Sequence, residues 1–142
     1  MIAGTTRSHA PRSFARIGAQ VATVGLLLST FLQVLLALGV IPITMAWGGT
    51  QPVLTAPLRL ASVVAALLLG VSAYVIRRRA GLAGGTHPPR AIRVLAWAIT
   101  TFLALNTLAN VGSSSRGEAL LFGPLTLVTA LACLLVAISR PD

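Results

Sequence analysis

The chain has 142 residues, 56% of them hydrophobic and 9% charged, with a mean hydropathy of +0.89. This excludes an ordinary soluble domain, whose apolar residues must fit inside one core, and calls for lipid as solvent. The net charge of +9 comes from arginines clustered at the ends of apolar runs, so the expected partner is not nucleic acid but anionic phospholipid headgroups, at about 1 kcal/mol per basic group near an anionic surface.

Cys133 is the single cysteine, which excludes an intramolecular disulfide, a C-x-x-C redox pair and a cysteine-built metal site. A buried apolar thiol is expected instead. His9 and His87 lie in basic, polar flanks with no carboxylate or second histidine at ligand spacing, so neither a metal nor a cofactor is expected.

In chain order, Arg7, Arg12 and Arg16 precede an apolar run at about 17–41. The run exceeds the roughly 7 to 15 residues of a signal-peptide core and predicts an uncleaved first span, although Thr44-Met45-Ala46 also fits a small-residue cleavage site. Pro42 is expected to kink or end this helix, and Trp47-Gly48-Gly49 to close it with an interfacial aromatic and terminating glycines. Thr55 and Pro57 supply an N-cap and a first-turn proline for a second span at about 57–77, which runs into Arg77-Arg78-Arg79 and Gly81. Pro88-Pro89 open a third span at about 91–111, with Gly112 as its cap. Ser115-Arg116-Gly117-Glu118 matches the capping box S-x-x-E and predicts a fourth span at about 118–139, kinked or preceded by a short turn at Gly123-Pro124.

These four spans predict a single all-α transmembrane domain over 1–142, an up-down-up-down four-helix bundle. One side carries nine arginines, in the N-terminal tail, the loop from Arg77 to Arg93 and Arg140, whereas the other carries Arg59 and Arg116. By the positive-inside rule the nine are cytoplasmic, together with both termini.

Membrane helices associate through small residues that let backbones approach. Gly18, Ala22, Gly25, Ser29, Gln33 and Ala37 recur at steps of three or four on the first helix, and Ser62, Ala66, Gly70 and Ala73 on the second. Both stripes are expected as packing seams, with Gln33 directed at a neighbouring helix because an amide in lipid is costly, and Gly70→Leu expected to force helices apart. At the outer end Asn106 and Asn110, at i and i+4, are expected to point inward and join Arg59 and Glu118, the acid and the base paired directly or through an asparagine. This cluster is the candidate site, as a structural lid or as a binding site open to the outside.

Trp47-Gly48-Gly49-Thr50, Leu58-Arg59-Leu60-Ala61-Ser62, Leu105-Asn106-Thr107-Leu108-Ala109-Asn110 and Phe122-Gly123-Pro124 together resemble small, uncharacterised four-span bacterial membrane proteins. The resemblance implies a bacterial inner membrane and brings no activity or ligand. No ionisable group stands in the middle of any span, which argues against proton-coupled transport and against acid–base catalysis in the bilayer. The expectation is a non-enzymatic accessory or interaction subunit, with a membrane protein partner or a homo-oligomer. The alternative is an oligomeric transporter or channel for a small neutral or weakly polar solute.

Overall fold

The computed structural model describes residues 10–85 and 87–139, with side chains from Ser13 onward. The readings that fall on Arg7, His9 and Arg140, and on the side chain of Arg12, lie outside the described residues. Among the described residues the chain forms α1 (Ala10–Leu38), α2 (Ala56–Arg79), α3 (Arg90–Val111) and α4 (Gly123–Ile138), with a π-helical turn at Glu118–Phe122 running into α4. The apolar segments on these helices are 21 to 26 residues long, enough for the roughly 20 that a bilayer requires. Leucines and valines such as Leu67, Val71, Leu105 and Leu108 stand exposed on the outside of the bundle, where a soluble protein would be polar. The molecule is a small multi-pass integral membrane protein.

Glycines in the left-handed region end the first two helices. Gly39, at φ 76°, follows α1; its N–H donates to Leu36 O and the N–H of Val40 to Leu35 O. Gly81, at φ 70°, closes α2 the same way, with Leu82 N–H bonded to Arg77 O at 2.9 Å and the Leu82 side chain folded onto the core. Both are Schellman motifs, which satisfy carbonyls that the helix leaves unpaired. The first helix therefore ends at Gly39 and not at Trp47-Gly48-Gly49, because a glycine at the C′ position is already available before Pro42 is reached. Thr55 holds the N-cap position of α2 in extended conformation, but its hydroxyl makes no cap bond.

The interruption expected at Gly123-Pro124 takes the form of the π turn. Pro124 has no N–H for the carbonyl four residues back, and its ring would crowd that carbonyl. The wider turn relieves this, with the Gly123 N–H reaching Glu118 O, five residues back.

The helix α1 packs on α2 and α4, and α3 packs on α4 and more sparingly on α2. Half of the fourth span (50%) is buried, against 28% to 33% of the others, so α4 is the helix around which the bundle closes. The core joins Ala19, Ala22 and Leu26 of α1 to Ala73 and Ile76 of α2, Leu103 of α3 and Cys133 and Val136 of α4. Four threonines in the spans satisfy their hydroxyls within one helix: those of Thr23, Thr100, Thr107 and Thr129 each donate to the carbonyl four residues back, at 2.6 to 2.8 Å.

The seams differ from one another. On α1, Gly18, Ala22, Gly25, Ser29 and Ala37 are buried. A Cβ on Gly25 would fall 2.1 Å from Thr129 Oγ1 and one on Gly18 3.2 Å from Ala132 O, so both glycines let α1 and α4 touch. On α2, Ser62, Ala66 and Ala73 are buried, but a Cβ on Gly70 would meet nothing within 4 Å. Gly70 is thus no contact point, and a larger residue there has room.

At the end where α2 and α4 stop, Arg79 is 4% exposed and its Nη2 donates to Ala137 O, at 3.3 Å, and to Ser139 O. A cation bonded to the last carbonyls of α4 complements the negative end of its dipole.

Candidate functional site

The opposite end of the bundle is closed by two loops folded onto each other. The chain leaving α1 makes a 3-10 turn at Ile43–Met45, and Ile43 and Ala46 pack with Leu36 and Phe122 in a second small core. It then passes through three successive residues with positive φ, Trp47 at 55°, Gly48 at 80° and Gly49 at 68°. Glycine takes this conformation freely, whereas a tryptophan is strained by roughly 1 kcal/mol or more. The turn presents the Gly48 N–H to the bundle, and the indole Nε1–H of Trp47 donates to Ser62 Oγ on α2 at 3.2 Å, where Ser62 is fully buried.

Glu118 lies under this turn, 9% exposed. Its Oε2 accepts the Gly48 N–H at 3.0 Å and the Ser113 hydroxyl at 2.5 Å. Ser113 Oγ in turn accepts the Ser115 N–H at 3.1 Å, and Ser115 Oγ accepts the Glu118 N–H at 3.3 Å while donating to Thr44 O at 2.9 Å. The capping box is therefore present with one arm rerouted. Serine caps glutamate directly, but glutamate reaches the cap residue's N–H through the Ser113 hydroxyl, leaving the carboxylate free for Gly48. The contact is close: a Cβ on Gly49 would lie 2.5 Å from Ser115 Cβ, and one on Gly117 3.1 Å from Met45 Cε.

Of the four residues expected to cluster here, Asn110 and Glu118 are buried, Asn106 is half-buried and Arg59 is exposed. Asn110 Nδ2–H donates to Thr126 Oγ1 on α4 at 3.3 Å. Glu118 bonds to Gly48 and Ser113, Asn110 to Thr126, and neither bonds to Arg59 or Asn106. The expected pairing of Arg59 with Glu118, direct or through an asparagine, is replaced by backbone and hydroxyl donors. Burial of the carboxylate under the turn accounts for this, while Arg59 is left exposed. Sequence reasoning missed Gly48, Ser113 and Ser62 as members. The available signal was the uncharged Gly48-Gly49 pair together with three serines before a lone acid. Gln33 belongs to the α1 seam; its Oε1 is buried and has no hydrogen-bond partner.

No group of three or more metal-ligating side chains is assembled among the described residues. No protein family model matches the chain, and neither a curated protein nor a solved structure is similar to it. What remains of the family resemblance is its architecture, a small all-helical protein with four membrane-length apolar helices.

Proposed function

We propose that the protein is a non-enzymatic accessory subunit of a membrane assembly, acting through its helical surface. The observation that carries this reading is the use made of Glu118. The acid at the closed end, the group best suited to chemistry or solute binding there, is spent on joining the two loops through Gly48 and Ser113. Asn110, at the same end, is bonded across α3 and α4. A polar layer occupied in this way stiffens the bundle and leaves its apolar outer surface for contact with other membrane helices.

In the arrangement we propose, the helices run up-down-up-down with both termini in the cytoplasm of a bacterial cell, nine arginines inside against Arg59 and Arg116 outside. Anionic headgroups line the basic face. The alternative, an oligomeric channel or transporter, draws support from Gln33, whose unpartnered oxygen would gain a donor from a solute or a second subunit. Purification in mild detergent separates the two. A monomeric particle whose melting temperature falls on Glu118→Gln is expected for the accessory subunit. A homo-oligomer that loses solute flux with Gln33→Leu would replace it by the channel.

A further inference from the structure

On the lipid-facing side, α1 and α4 enclose a groove of about 350 Å³ lined by Gln20, Val24, Gly25, Leu28, Val128 and Thr129, among others. Its floor exists because Gly25 has no side chain and lies against Thr129, while Val24, Leu28 and Val128 are exposed and stand up as walls. The Thr129 hydroxyl donates to Leu125 O within its own helix, so the floor offers an occupant no unsatisfied polar group. Gln20 is exposed at one end of the groove. Arg16, also exposed, precedes it by one turn, so that Arg16, Gln20, Val24 and Leu28 form a single i, i+4 row. At 1.5 Å per residue Arg16 lies about 12 Å along the helix from Val24 in the groove wall, close to the half-thickness of about 15 Å of a bilayer's hydrocarbon core.

We propose that this groove is a binding site for one anionic diacyl phospholipid. The phosphate sits against Arg16, the Gln20 amide donates to an ester carbonyl of the glycerol backbone, and one acyl chain lies between α1 and α4 over Gly25. Three features of the row select this occupant over other hydrocarbon. An exposed cation marks headgroup depth, an exposed glutamine one turn deeper can reach an acceptor at the level of the glycerol backbone, and an apolar trough begins directly below it. The site rests on the membrane reading of the bundle and not on its role as a subunit or on its orientation.

The test is native mass spectrometry of the full chain released from detergent micelles containing equal phosphatidylglycerol and phosphatidylcholine. The expected result is one retained lipid per chain, with an about fivefold preference for phosphatidylglycerol, the contribution of one arginine at an anionic surface. Arg16→Gln should abolish the preference without changing the melting temperature, since the side chain is exposed. Val24→Trp, which fills the trough, should abolish retention. Equal retention of the two lipids by the native chain, or a preference unchanged in Arg16→Gln, would overturn the proposal, as would Val24→Cys cross-linking to a second copy. If Val24→Trp fails to fold, the arginine variant decides alone.

Discussion

A carboxylate under a loop at a membrane surface is stable when each buried oxygen finds donors, and Glu118 meets that demand with a backbone N–H and a serine hydroxyl. Glu118→Gln keeps a neutral acceptor but loses the charge that strengthens both bonds. The variant should be less stable by about 1 to 2 kcal/mol, read as a lower midpoint in detergent unfolding. Ser113→Ala removes the relay and strands the Ser115 N–H, and should cost about 1 kcal/mol. Gly49→Ala combines a left-handed φ of 68° with a Cβ 2.5 Å from Ser115, and should lower the same midpoint more than Ser113→Ala does. The serine-to-glutamate half of this knot was legible, because S-x-x-E is a local pattern with a local bond. The Gly48 half was not, since it joins residues 70 positions apart and nothing in the sequence around Gly48 names its acceptor.

At the scale of the helices, small-residue periodicity identifies which side chains share a face, and both stripes read from the sequence fall largely on buried faces. It carries no information on how near the partner helix comes. Gly25 and Gly70 look alike as sequence, yet one touches Thr129 and the other faces open space. The two should therefore respond oppositely to the same change. Gly25→Ala should destabilise by about 1 to 3 kcal/mol through overpacking, and Thr129→Ala in the same chain should recover part of that. Gly70→Ala should be neutral or stabilising by up to about 1 kcal/mol, because alanine restricts the unfolded helix and meets no neighbour. A detergent thermal melt of the three variants measures this directly, and equal losses at Gly25 and Gly70 would contradict the assigned contact. The helix ends follow the same division. Gly81 and Pro124 act through their own backbone and are read from the sequence, whereas Gly39, which ends α1 in place of the expected Gly48-Gly49, is not, because which glycine is used depends on where the loop must pack.

For the whole molecule the arginines perform two separable tasks. In the proposed orientation the positive-inside bias acts through charge at the ends of the spans, whichever residue bears it, and Arg77 and Arg78 at the end of α2 with Arg90 and Arg93 at the start of α3 would supply it. Arg79 lies in the same sequence run but is buried and bonded to the carbonyls that end α4, so its contribution is to the bundle. Arg78, near the end of α2, donates to Gly85 O at 2.6 Å in the loop that follows. Replacing Arg77 and Arg78 with glutamine should therefore weaken the orientation and leave stability nearly unchanged. Arg79→Gln should do the reverse, lowering stability by about 1.5 to 3 kcal/mol, the worth of charged bonds at a helix terminus, while preserving topology. Reporter fusions after Gly81 and after Thr50 measure the first effect, with the fusion after Gly81 expected in the cytoplasm and the one after Thr50 outside. A detergent melt measures the second. An outside signal after Gly81 in the native chain would invert the proposed orientation, and a topology shift in Arg79→Gln equal to that of the double variant would show that this arginine acts as loop charge after all.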